Sequence, residues 1–186
     1  MSFSVAGLPL LVGASPGLQL FDADGDCTVV ASIWRVDWSV RGRGPVLVLW
    51  RPGEVTVWGA DRGLSGWLAE DFVRHFPEVK GLAWAEPRYL REEPWISLDL
   101  RTGLSAFTAD VQISLREPIA VRAVAEDRFT LGDQTCRLSL VLAPCAVGEI
   151  WIAGRRLAGE VRRNGTTRRP MSSAFLAEAE VWQAAR

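Results

Sequence analysis

Apolar and polar residues alternate along most of this chain, and this alternation constrains its fold more than any other feature of the sequence. Between residues 28 and 40, one set of alternate positions includes Trp34 and Trp38, whereas Arg35 and Asp37 belong to the other set. Successive side chains of a β-strand point to opposite faces, so each alternating segment is predicted to be a strand with one face on a core. Trp34 and Trp38 are therefore expected to point inward together.

The number of such segments limits the folds that the chain can adopt. We count about ten short strands separated by turn-forming residues, and so many twisted antiparallel strands do not remain one flat sheet. The predicted fold is mainly β: a single domain over residues 1–186 that forms an antiparallel β-barrel, in general form like a calycin or lipocalin. A sandwich of two sheets produces the same alternation and stays open as the alternative.

Two segments depart from the alternation. Apolar residues recur at helical spacing in the segment that ends at Pro77, which predicts an inserted amphipathic helix over about residues 64–76. Near the end of the chain, Ser172 or Ser173 is a suitable N-cap for the apolar residues that follow, which predicts a short helix over about residues 173–184. Both helices are expected to pack against the strands.

The chain contains nine Trp residues. Each indole buries on the order of 200 Å² and carries an N–H group that needs a partner when it is buried, so some of these rings are expected to line a cavity or an interface. A cavity of this kind would hold a largely apolar or aromatic small molecule. The residues predicted to bind it are Trp34, Trp38, Trp50, Trp58, Trp67, Phe72 and Phe107.

Candidate catalytic residues are few. His75 is the only histidine, and Tyr89, Glu93 and Asp99 lie in a stretch of acidic and basic residues close to Trp84 and Trp95. A carboxylate that indole rings shield from water can act as a general acid or base, so these four residues are the predicted catalytic set. A structural role explains them as well: the carboxylates would pair with surface cations, and His75 would lie at the C-terminal end of a helix dipole.

Several function classes are disfavoured. The sequence has no P-loop, no Gly-x-Gly-x-x-Gly, no Gly-x-Ser-x-Gly and no Ser-x-x-Lys pattern, and its three Cys and one His lack zinc-ligand spacing, so neither a cofactor nor a metal is expected. The formal net charge of −1 gives no general attraction for nucleic acid. No apolar run approaches the ~20 residues of a membrane-spanning helix, and no signal peptide is expected. The odd number of cysteines favours free thiols in the cytoplasm.

The predicted function is therefore binding of a largely apolar or aromatic small molecule in a Trp-lined barrel. The protein would be either a carrier or a cofactor-independent cyclase or isomerase, because such an enzyme works by holding a reactive conformer and needs no nucleophile. An interaction or oligomerisation module is the alternative, in which exposed Trp side chains form the interface of a homodimer or of a complex with another protein and no catalysis occurs.

Overall fold

The computed structural model describes residues 8–185. They form a mainly β structure, as the alternation predicts. The strands are β1 (Pro9–Ala14), β2 (Gly17–Phe21), β3 (Cys27–Ser39), β4 (Gly44–Arg51), β5 (Glu54–Gly59), β6 (Arg88–Leu90), β7 (Trp95–Asp99), β8 (Gly103–Phe107), β9 (Val111–Pro118), β10 (Arg122–Leu131), β11 (Gln134–Ile152), β12 (Arg155–Arg156), β13 (Arg163–Thr166), β14 (Arg169–Ser172) and β15 (Ala174–Ala184).

Hydrogen bonds connect most of these strands in the order β6-β5-β4-β3-β1-β15-β11-β9-β8-β7. Every neighbouring pair on this path is antiparallel except β5 and β6, which are parallel. Strand β2 continues β1 after a break at Ser15 and Pro16 and pairs with the same two neighbours, β3 and β15. Within residues 8–185, no ladder joins β6 to β7 at the two ends of the path. The predominantly antiparallel sheet is thus present without a pairing that closes it.

The long strand β11 belongs to two sheets. Its first part pairs with β15 and β10, whereas residues 145–152 pair with β9. The first sheet contains β6, β5, β4, β3, β1, β2, β15 and β10, and the second contains β9, β8, β7 and β12. Cores lie on both faces of the first sheet: one under the helical segment, around Trp34 and Trp182, and one against the second sheet, around Ile33 and Ile113.

The inserted helical segment lies close to its predicted position. It begins with α1 (Arg62–Trp67), continues as a π-helical turn at 68–72 and ends with a 3-10 turn at 73–75. Asp61 caps it, because its carboxylate accepts a hydrogen bond from the backbone N–H of Leu64 at 2.8 Å. In the part of the chain that the structure describes, no helix has the length and apolar character to cross a membrane.

The prediction of a helix at 173–184 is wrong, because this segment is strand β15, which pairs with β1 and β11. A β-bulge explains the error. Ala179 has a φ of 51° and is part of an irregularity at which the register against β11 shifts by one residue. The extra residue interrupts the period of two, so that buried positions such as Leu176, Ala177 and Glu180 follow a spacing that resembles that of a helix.

A second bulge overturns the expectation that Trp34 and Trp38 share a face. Val12 pairs with Trp38 but Gly13 pairs with Val36, so Asp37 is an extra residue in β3. Beyond it the faces of the strand are exchanged. Trp34 is 0% exposed and Trp38 is 48% exposed.

The two indoles therefore contribute differently to stability. We expect Trp34→Ala to lower the free energy of unfolding by about 3 to 5 kcal/mol, because it leaves a large cavity in the core. Trp38→Ala, the matched control, should change it by less than about 1 kcal/mol. Urea denaturation followed by circular dichroism measures both values, and equal losses would contradict the assignment of Trp38 to the outer face.

The cysteines provide a second test of the fold. All three are free; Cys136 and Cys145 are buried, and Cys27 is half-buried. Burial raises the pKa of each thiol, and that of Cys145 to about 11, so the reactive thiolate is scarce at neutral pH. In a native thiol titration Cys27 should react first and the other two only as the protein unfolds. Cys27→Ser should remove the fast phase, and rapid reaction of all three thiols would contradict the burial of Cys136 and Cys145.

Candidate functional site

A cleft of about 540 Å³ opens beside the helical segment. Strands β2 and β15 contribute residues to it from the first sheet, β10 and the first part of β11 contribute a wall, and the segment after the helix contributes Phe76 and Glu78. Most of its lining is apolar. The aromatic residues of the lining are Phe21, Phe76, Phe129, Phe175 and Trp182.

Glu180 lies at the cleft and is completely buried. Its carboxylate accepts hydrogen bonds from the hydroxyl of Ser15 and from the indole N–H of Trp182, and a further one from the backbone N–H of Ser15. Burial raises the pKa of Glu180 from 4.5 to about 7, although these donors oppose the shift by favouring the charged form. A carboxyl group with this pKa can exist in both protonation states near neutral pH.

Two irregularities of the backbone bring Ser15 and Glu180 together. Ser15 occupies the break between β1 and β2, and Glu180 follows the bulge at Ala179. In a regular strand Glu180 would share a face with Leu176, which belongs to the core between the sheets. The extra residue moves Glu180 to the face that carries Ala177 and Trp182, both of which line the cleft. The bulge thus brings a carboxylate into an otherwise apolar wall.

Aromatic packing fixes the indole that contacts Glu180. Phe76 is stacked on Trp182 with an interplanar angle of 11° and 6.1 Å between centroids. Phe129 and Phe72 meet Trp182 edge to face, at centroid distances of 5.1 and 5.2 Å. Such pairs hold a ring in one orientation. The Trp182 N–H is therefore held toward the carboxylate.

Three further charged side chains line the cleft: Glu78, Glu126 and Arg162. Burial raises the pKa of Glu78, which is half-buried. The Arg162 guanidinium lies over the ring of Phe21, 4.2 Å from its centroid. Among residues 8–185, none of the carboxylates at the cleft forms a salt bridge.

The four predicted catalytic residues do not line this cleft. His75 and Glu93 are exposed. Asp99 accepts backbone hydrogen bonds from Arg101 and Thr102 in the β7–β8 turn, and these bonds lower the pKa of its exposed carboxyl group. Through these hydrogen bonds Asp99 stabilises the turn.

Tyr89 borders a different, more polar depression next to the start of α1. The guanidinium of Arg62 lies 3.2 Å from the centroid of its ring. The structure therefore does not bring the four predicted catalytic residues together in one cavity, and their catalytic roles stay predictions.

The predicted ligand-binding residues lie outside the cleft. Trp34, Trp50, Trp58 and Phe72 are core residues, Trp67 is half-buried, and Trp38 and Phe107 are exposed. None of them lines the cleft, and their contact with a ligand stays a prediction.

Glu180, Ser15 and Trp182 are not among the site residues predicted from the sequence. Glu180 and Trp182 are two residues apart, a spacing that places them on one face only when the segment is treated as a strand. The helix predicted for residues 173–184 concealed that relationship.

Comparison of the chain with protein-family models, with curated proteins and with solved structures found no match.

The raised pKa of Glu180 predicts how stability depends on pH. Between about pH 4.5 and pH 7 the folded state holds a proton that the unfolded state has lost, so the free energy of unfolding should fall as pH rises and level off above about 7. The full decrease from this group is about 3 kcal/mol. Glu180→Gln, which resembles the protonated acid, should lack this component and be more stable than the wild type at about pH 8.

Urea denaturation between about pH 4 and pH 8 measures this dependence. Glu178→Gln is the control, since Glu178 lies on the same strand and pairs with Arg35 outside the cleft. If the wild type and Glu180→Gln have parallel stability curves, the carboxyl group of Glu180 is not desolvated as described.

Proposed function

We propose that the cleft binds a largely apolar or aromatic small molecule. The observation that carries this proposal is an aromatic-lined cleft of about 540 Å³ with one buried carboxylate, Glu180, among its apolar walls. Small-molecule sites are typically concave, mostly apolar and supplied with a few polar groups that orient the ligand. The proposal keeps the ligand class expected from the sequence and moves it from the lumen of a closed barrel to this cleft.

A catalytic form of the proposal is a cofactor-independent isomerase or cyclase. Glu180 and Ser15 support it, because a carboxyl group with a pKa of about 7 can both donate and accept a proton near neutral pH, and the Ser15 hydroxyl can relay that proton. Binding alone would make the protein a carrier. The three free thiols support a reducing compartment such as the cytoplasm.

A second candidate is self-association, and one observation favours it. Trp95 is 58% exposed and packs on Phe107, with 5.4 Å between ring centroids. Strand β7, which begins with Trp95, is an end of the sheet path. An exposed aromatic pair on an edge strand can pair with a second copy of the chain. Sedimentation of the wild type and of Trp95→Ser tests this candidate, and a monomer at all concentrations excludes it.

The binding proposal is tested with Nile red, a neutral aromatic dye that fluoresces in apolar surroundings. We expect dye fluorescence to rise and the emission of the protein's Trp residues to be quenched as Trp182 meets the dye. Val124→Glu should weaken dye binding by about tenfold or more, because it places a charge in the lining.

Ala125→Glu is the matched control, since Ala125 is the next residue of β10 and is exposed. It should bind the dye like the wild type. Equal binding by both variants, or no binding by the wild type, would refute the assignment of a small-molecule site to the cleft.

A further inference from the structure

The charged groups of the cleft are predominantly negative. Glu78, Glu126 and Glu180 contribute three carboxyl groups to the lining, and Arg162 contributes one guanidinium. Arg162 is placed over the ring of Phe21 and forms no salt bridge with any of the three within the described residues. A site with this charge distribution attracts cations and repels anions.

Glu180 is the carboxylate with the least access to water, and its partners carry no positive charge. The donors are a hydroxyl, an indole N–H and a backbone N–H, which orient the carboxylate but do not neutralise it. A buried carboxylate without a counter-charge is costly, and it responds by taking up a proton unless a cation is supplied. The described part of the chain supplies none at this position.

Ser15 connects this carboxylate to the open space. Glu180 is fully enclosed, whereas Ser15 is only half-buried and also lines the cleft. Its hydroxyl donates to Glu180, which leaves the lone pairs of Oγ free to accept a hydrogen bond. A donor in the cleft can therefore interact with Glu180 through Ser15 without displacing it.

We propose that the ligand of the cleft is an organic cation, a lipophilic amine whose ammonium group donates to Ser15 Oγ and pairs electrostatically with Glu180. This inference rests on the proposed small-molecule function and specifies its ligand class. An alkylammonium group has a pKa near that of Lys, about 10.4, so the amine and Glu180 are both charged between about pH 7 and pH 10. Two hydrogen bonds would then connect the ligand to Glu180, one from the ammonium group to Ser15 and one from Ser15 to the carboxylate. Each of them has one charged partner, which strengthens it.

The aromatic lining suits the same ligand. Phe129 lines the cleft and packs on Trp182, the indole that donates to Glu180, and the face of a Phe ring attracts cations. The leucines of β11, Leu138, Leu140 and Leu142, supply apolar wall for the hydrocarbon part. Charge recognition and apolar burial thus act on different parts of one molecule.

Three probes that share a naphthalene ring test the inference by isothermal titration calorimetry: 1-naphthylmethylamine, 1-naphthalenemethanol and 1-naphthoic acid. At about pH 8 we expect the amine to bind about tenfold tighter than the alcohol, and the acid to bind weakest. Glu180→Gln should remove the advantage of the amine and leave the alcohol unchanged. Glu178→Gln is the control with a carboxylate removed outside the cleft, and it should bind all three like the wild type.

The dependence on pH separates Glu180 from its neighbours. Lowering the pH to about 5.5 protonates Glu180, so the wild type should lose most of its preference for the amine. Glu78 and Glu126 also face the cleft, and Arg162 contributes a guanidinium to it. Glu78→Gln and Glu126→Gln should therefore retain the pH-dependent preference that Glu180→Gln lacks.

The outcomes separate this inference from the proposed function. Equal affinity for amine and alcohol, or an amine preference that survives Glu180→Gln, overturns the ligand class while Nile red binding still supports the cleft. No binding of any naphthalene probe, with Nile red bound, also overturns the inference. No binding of Nile red refutes the proposed function itself. If Glu180→Gln does not fold, Ser15→Ala replaces it, and an undiminished preference for the amine in that variant overturns the inference.

Discussion

The backbone hydrogen bonds of β11 connect the two sheets of the molecule. One strand satisfies its donors and acceptors with β15 and β10 over its first part and with β9 over residues 145–152. Because buried backbone groups need partners, neither sheet can move away from the other without breaking this ladder. The strand thereby fixes the distance and angle at which the second sheet covers the first.

This covering explains the composition of the central strands. Strands β3, β4 and β5 bury side chains on both faces, since the helical segment lies over one face and the second sheet over the other. A strand that is buried on both sides becomes a continuous apolar run, as in residues 46–50 of β4. The cleft lies at the margin of this arrangement, where the helical segment ends and β10 and β11 provide the opposite wall.

The sequence predicted features that depend on one segment alone, such as strand or helix periodicity. Alternation identified the mainly β character of the chain but not β1, β2 or β15, and helical spacing identified the segment that the structure places at residues 62–75. The errors at Trp38 and in β15 have one cause, an extra residue in one strand opposite its neighbour. A bulge is defined by the pairing of two strands, so the sequence of one strand alone does not reveal it. Ser15 and Glu180 are separated by 165 positions, and only the register of β1 and β2 against β15 places them together.

Ala179 has a wider consequence for changes in the length of β15. Deletion of its codon would leave only Glu178 between Ala177 and Glu180, so these two side chains would share a face of a regular strand without any bulge. Glu180 would then keep its place in the cleft wall, opposite the same part of β11. The strand can therefore lose this codon and keep the polarity of the cleft, whereas straightening the present sequence with all its residues retained would turn Glu180 toward the core between the sheets.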